Sequence, residues 1–300
     1  LCPLAERLLT RYRSRRESFH RSGIRIGRPR LAILPIDYRG RERFRYHGQE
    51  FFSSVHEGIY SPRITVDRLI QERELNYRGG LLVERFEEQT DGVKVFSRDL
   101  STGESVTFRS RELLLAAGTL NTSRLVLRSR DDTQSSLPLL DNPVSFLPAI
   151  DPFRIGTPMP RNAFTSAELS IVIEQEGLPV QGSIYNLMGP LRSDLLMEFP
   201  LTLNGNLTAC RELLPAMLMI QLFYPDRPNR ENSLSLTSDG RLQIRYRAPR
   251  APGVERSLAR KLLSAGLLAP YFLTQRPIAG SSIHYAGTLP MRRSPSSPYE

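Results

Sequence analysis

Arg111-Glu-Leu-Leu-Leu-Ala-Ala-Gly-Thr-Leu-Asn-Thr-Ser-Arg-Leu-Val-Leu-Arg-Ser129 changes its period halfway along. Leu113 to Ala117 is apolar at every position, the pattern of a strand buried on both faces in a parallel sheet. Past Gly118, residues Leu120, Arg124, Leu125, Val126 and Leu127 follow the spacing of an amphipathic helix. The stretch therefore predicts a strand, a tight glycine turn and a helix in succession. Alanine and glycine at the carboxyl end of a strand let a flat group or a phosphate approach the backbone. An ordinary strand-to-helix turn carries the same residues.

Upstream, Leu81 to Phe86, Val93 to Ser97, Ser105 to Phe108 and Glu112 to Ala116 read as short strands, broken by Asp91-Gly92 and Ser101-Thr102-Gly103. Before them, Thr65 to Glu74 sets Val66, Leu69, Ile70 and Arg73 on one helical face, with Asp67 in the first turn. Ala5 to Phe19 is helix-like and basic, and Gly23, Gly27, Pro29 and Pro35 mark the next stretch as a loop-rich entry. Downstream, the proline-bearing stretch Ser135 to Pro160 reads as a linker. Glu168 to Glu174, Gly182 to Leu187 and Met217 to Tyr224 are strand candidates, and Ser238-Asp239-Gly240 joins Asn232 to Thr237 and Arg241 to Tyr246 as a hairpin. Glu255 to Leu268 repeats apolar residues at helical spacing, a helix to pack across that sheet. The tail from Arg292 has the composition of a loop.

Three hundred residues with 40% hydrophobic content suffice for two ordinary domains. Cys2 and Cys210 lie far apart and in no metal-ligand spacing, which argues against a disulfide framework or a zinc site and fits a reducing compartment. The longest apolar run, Leu213 to Tyr224, falls short of the roughly 20 residues that cross a bilayer, and the first residues lack a signal-peptide layout. The sequence thus reads as soluble, with a cytoplasmic location favoured and no membrane span expected.

A net charge of +10 raises the question of nucleic acid. The basicity is almost all arginine, since Lys94 and Lys261 are the only lysines, and Asp and Glu are interleaved with it along the chain. No nucleic-acid partner is expected on that distribution. The one cluster, Arg11-Tyr-Arg-Ser-Arg-Arg16 followed by Arg21, Arg25, Arg28 and Arg30, reads as a solvated or packing face rather than a phosphate-binding patch.

Gly280-Ser-Ser-Ile-His-Tyr-Ala-Gly-Thr-Leu-Pro-Met291 supplies the sharper motif. It resembles the His-x-x-Gly-Thr-x-x-Met segment of the glucose-methanol-choline oxidoreductases, FAD enzymes that oxidise alcohols and sugars, and the stretch from Arg111 to Ser129 is similar to that family's strand, Ala-Ala-Gly turn and helix. Gly27 to Leu34, Gly58 to Pro62 and the hairpin from Pro228 to Tyr246 are similar to further segments of the family, so the resemblance covers most of the chain.

The resemblance implies an α/β (α+β) fold: part of an FAD-binding Rossmann-like domain, residues 1–135, lacking its glycine-rich βαβ start, and a substrate-binding and catalytic domain, residues 136–300, with a mostly antiparallel sheet flanked by helices. It implies His284 as the catalytic base, the backbone of Val83 against the adenine, and Ala117 and Gly118 beside the cofactor. The cofactor would be FAD and the partner a small alcohol or sugar, with the electron acceptor open. The sheet between Glu168 and Tyr246 would wall the substrate pocket. Histidine suits base catalysis because an unperturbed imidazole, with a pKa of about 6.5, keeps a neutral fraction near pH 7.

The departures are specific. No Gly-x-Gly-x-x-Gly follows a strand, so the pyrophosphate cradle is not in these residues. Nothing after Met291 resembles the family's closing strand and its second catalytic group. The resemblance therefore implies a piece of a longer enzyme, incomplete at both ends and inactive by itself. Many members of that family carry cysteines around the stretch equivalent to Tyr46 to His56, which has none here; His47 and His56 are left unassigned and read as structural or exposed. The alternatives are a non-catalytic binding module derived from the same fold and, last, an arginine-rich nucleic-acid-binding protein.

Overall fold

The computed structural model describes residues 1–45, 58–158, 166–175, 177–187, 201–249 and 253–300. His47 and His56 lie outside the described residues. The first half of the chain forms α1 (Pro3–Ser14), α2 (Arg16–Arg21), β1 (Ile24–Gly27), α3 (Pro62–Gln71), β2 (Leu81–Gln89), β3 (Gly92–Asp99), β4 (Ser105–Ser110), α4 (Thr119–Ser129), β5 (Ser136–Pro138) and β6 (Val144–Ile150). The second half forms β7 (Leu169–Ile173), β8 (Val180–Asn186), α5 (Leu203–Leu213), β9 (Met217–Phe223), β10 (Ser233–Leu236), β11 (Leu242–Arg245) and α6 (Val254–Ser264). The class is α/β in the α+β sense, helices combined with antiparallel sheets.

These elements divide into two compact units, each drawn from three stretches of chain. The first takes Leu1–Arg68, Val144–Pro225 and Arg250–Pro277; the second takes Leu69–Pro143, Asp226–Pro249 and Ile278–Glu300. Each unit thus draws on both sides of residue 135.

The first unit is built on a five-stranded antiparallel sheet in the order β1-β7-β8-β9-β6. Strict alternation decides its buried face: Leu169, Ile171 and Ile173 on β7, Leu218, Ile220 and Leu222 on β9, and Leu147 and Ala149 on β6 all turn into one core. Leu4, Leu8 and Tyr12 of α1, Phe19 of α2, and Leu258 and Leu262 of α6 join the same core. Each fully buried Leu or Ile contributes roughly 1.5–3 kcal/mol. Pro3 sits in the first turn of α1, where its missing N–H costs nothing, and the Cys2 Sγ accepts from the Ala5 N–H.

Two of the basic residues near the start turn toward a buried acid. Arg7 Nε and an Arg11 guanidinium nitrogen donate to the fully buried carboxylate of Asp151 at 2.9 and 3.1 Å, and Arg11 also donates to the Ala265 carbonyl at 2.9 Å. Arg11 thereby places positive charge at the carboxyl end of α6, where the helix dipole favours it.

The second unit holds two small antiparallel sheets, β2-β3-β4 and β11-β10-β5. On α4, the adjacent residues Val126 and Leu127 serve different clusters. Val126 packs with Phe86 and Val95, and Leu127 with Leu137, Leu139, Leu234 and Leu236. The Phe86 N–H also donates to Ser129 Oγ at 2.9 Å, tying β2 to the end of this helix.

Several expectations need correcting. Glu112 to Ala116 is not a strand: the segment has no sheet partner among the described residues, and Leu114 is 92% exposed. Leu113 and Leu115 lean on the Phe86, Val95 and Val126 cluster, so only one face of the apolar run is covered. The parallel sheet read from that run is accordingly absent among the described residues, where the paired strands are antiparallel. Ser135 to Pro160 is more than a linker, because β5 and β6 lie in it. Pro148 falls inside β6 at the sheet edge, in the row of positions that faces away from β9; there the Phe146 and Ile150 N–H groups on either side of it donate to the Gln275 and Leu268 carbonyls at 2.9 and 2.8 Å, and its own missing N–H breaks no bond to β9. β1 occupies part of the expected loop-rich entry, and α5 forms where no helix was expected. The strands between Glu168 and Tyr246 do not make one wall: β7, β8 and β9 belong to the five-stranded sheet, and β10 and β11 to a smaller one.

Candidate functional site

The four residues expected at the site, Val83, Ala117, Gly118 and His284, all lie in the second unit. Gly118 adopts φ +79° and ψ 159°, a conformation open essentially to glycine alone, and it precedes the first turn of α4 without a side-chain capping bond. A Cβ built on it would meet nothing within 4 Å. Ala117 and Gly118 are both exposed, so the chain turns into the helix with its backbone open on one side.

His284 lies 166 residues further on, yet the fold joins the two segments. The Thr119 hydroxyl, one residue past Gly118, donates to the carbonyl of Tyr285, one residue past His284, at 2.7 Å. From the other side, Leu140 pairs with Ala286 through two backbone hydrogen bonds of 2.9 and 3.0 Å. The Tyr285 hydroxyl donates to the Gly280 carbonyl at 2.9 Å and closes the loop on itself. Gly287, at φ +78°, approaches Leu140 so closely that an added Cβ would lie 2.9 Å from its Cγ and Cδ1.

Asp141 carries the turn before His284. Its carboxylate is buried, 5% exposed, and accepts from the Gly280 N–H at 3.0 Å, the Asn142 N–H at 2.8 Å and the Ser282 hydroxyl. Ser282 Oγ in turn accepts from the His284 N–H at 3.3 Å. Ile283, between them, is held at φ +54°, an unusual state for a β-branched residue, and is 76% exposed. Behind Asp141 stands Asp226, which accepts from the Asp141 N–H at 3.1 Å and from the Tyr246 hydroxyl at 2.8 Å. Burial, followed by the hydrogen bond to Asp226 and its charge, pushes the Tyr246 phenol above the ordinary tyrosine range.

The His284 side chain is exposed at the surface of this loop. Val83 lies in β2 at a register shift between Val83 and Arg85 and is 36% exposed. It enters the unit through the sheet, pairing with Ser97, whereas Gly118 and His284 are linked through hydrogen bonds of their own segments. Sequence reasoning missed Asp141, Ser282 and the tie through Thr119. A lone acid between Leu140 and Asn142-Pro143 was the one local signal for the first of these.

At Gly118 the backbone carries no Cβ and faces open space, which permits close approach of a flat group. The described residues contain no cluster of His, Cys, Asp and Glu able to hold a metal ion, and no described helix is long and apolar enough to cross a membrane.

No family model matches the chain, and no curated protein matches it. Thirty-five solved chains do. One is the crystal structure of the flavin-dependent monooxygenase PieE in complex with FAD and substrate, 12% identical, with 92% of this chain and 42% of that one covered. This chain therefore spans less than half the length of that structure. The TM-score is 0.22, too low for the likeness to carry an argument about fold or function.

Proposed function

We propose that this chain is part of an FAD-dependent oxidoreductase that acts on the CH–OH group of an alcohol or sugar, of the glucose-methanol-choline type. One observation carries the reading. The two motifs that resemble that family, 166 residues apart, are joined by the hydrogen bond from Thr119 to the Tyr285 carbonyl, which sets the open Gly118 turn and the His284 loop into one neighbourhood. The backbone at Ala117 and Gly118 would lie along the cofactor, with Val83 contributing its backbone from β2. A bound flavin supplies the two-electron acceptor in such chemistry. His284 takes the hydroxyl proton of the substrate onto its imidazole, and a positioned base of this kind contributes on the order of 10²- to 10⁴-fold. The left-handed backbone at Ile283 supports the assignment, since residues held in sparsely populated conformations cluster at functional sites.

The sequence has no Gly-x-Gly-x-x-Gly, so these residues account for only part of a flavin site. That feature favours the second reading, a binding module on the same scaffold. A flavin spectrum and anaerobic reduction with an alcohol and sugar panel decide between them, run on the 300-residue chain and on the gene product extended at both ends. The expected result is a yellow extended protein that bleaches with substrate, with the bleaching slowed by His284→Ala. An extended protein that takes up no flavin rules out the oxidoreductase reading and leaves the binding module.

A further inference from the structure

We propose that Asp141 is the positioning residue of the His284 loop, acting through Ser282; as a role in catalysis it rests on the reading of His284 given above. Asp141 is the one buried carboxylate that this loop folds around. It receives the N–H at the start of the turn, from Gly280, and the hydroxyl of Ser282, the same oxygen that accepts from the His284 N–H. Three positions before the histidine backbone are thereby fixed: Gly280 at φ +91°, Ser282 by its side chain and Ile283 at φ +54°. A left-handed Ile persists only where its surroundings over-determine it, and the bonds to Asp141 on one side and to Leu140 on the other supply that constraint. The groups facing Asp141 explain how it stays in place. Its own N–H is held by Asp226, and Asp226 is held by Tyr246 just past β11, so the acid is anchored from a second segment as well as its own.

The chain has four histidines, His20, His47, His56 and His284, so the imidazole Hε1–Cε1 correlation lost in His284→Ala identifies the residue by NMR. In Ser282→Ala and Asp141→Asn that peak is expected to move. Val180→Ala, which loosens the core of the first unit, is expected to leave it in place. Ser282→Ala keeps Asp141 bonded to Gly280 and Asn142, so it decides the matter should Asp141→Asn fail to fold. In flavin-loaded protein, Ser282→Ala is expected to slow reduction on the order of 10²-fold with little change in half-saturation, the cost of a displaced catalytic group. An unmoved His284 peak in folded Ser282→Ala overturns the proposal. A peak that moves in a protein that never reduces flavin leaves the positioning role standing and removes the oxidoreductase reading. An unmoved peak in a protein whose reduction depends on His284 does the reverse.

Discussion

The Thr119 hydroxyl donates to the Tyr285 carbonyl at 2.7 Å, across 166 residues of sequence. Thr119 also stands at the first position of α4, where its carbonyl accepts from the buried Ser123 hydroxyl at 2.8 Å. Thr119→Val keeps the shape and removes the donor. The expected loss is about 1 kcal/mol, the net value of a typical hydrogen bond, read as a lower urea midpoint at unchanged slope.

Gly118 is the second handle on this contact. Gly118→Ala meets no neighbour, so any cost comes from the backbone, about 1–3 kcal/mol for a non-glycine residue in that conformation. A variant as stable as the parent in urea unfolding would show that the turn relaxes to another conformation.

In the first unit, Asp151 is fully buried and shared by Arg7 and Arg11. Asp151→Ala is expected to destabilise by about 2–4 kcal/mol, at or below the usual range for stripping one partner from a buried pair, because both arginines retain some access to water. Arg7→Ala, at a side chain 43% exposed, costs less, since Arg11 still serves the carboxylate. Urea unfolding of the two variants side by side tests the order.

Cys2 and Cys210 are both buried free thiols. Burial, then the charge of Glu168, push the Cys2 thiol up to about 12, and burial raises Cys210 as well. Thiolate is therefore a trace species for Cys2 at pH 8, and both cysteines are expected to react slowly with a disulfide reagent in the folded chain and rapidly in denaturant. Prompt reaction of either under native conditions would contradict the packing around it.

Burial raises the phenol pKa of Tyr224 and of Tyr246 in the folded state. An unfolded tyrosine titrates near 10. For a group whose folded pKa is the higher, the stabilisation is complete below the unfolded value and is lost as pH rises toward the folded one. The melting temperature is thus expected to hold up to about pH 10 and to fall above it, with a shallower fall in Tyr246→Phe. Phenolate absorbance followed through the same range should show these tyrosines titrating last.

Much of the fold was legible because its signals are local. The alternation Leu169, Ile171, Ile173 gave β7, Ser238-Asp239-Gly240 gave the β10–β11 hairpin, and Leu258 with Leu262 gave the buried face of α6. The period of the side chains announces such elements wherever they end up. Leu113 to Ala117 misled for the complementary reason. An all-apolar run states only that both faces want cover, and strand character comes from a partner, which the described residues do not provide.

The sequence by itself determined β7, β9, the β2–β3–β4 and β10–β11 hairpins, the helices α1, α4 and α6, and that Gly118 turns the chain into α4. Tertiary structure alone decided that Thr119 meets Tyr285, that Asp141 underlies the His284 loop, that Arg7 and Arg11 turn inward to Asp151, and that each compact unit is assembled from three separate stretches. Periodicity is a property of neighbours along the chain. A hydrogen bond between distant residues depends on the path of everything between them, and a single Asp or Thr leaves no periodic trace of the partner it will find.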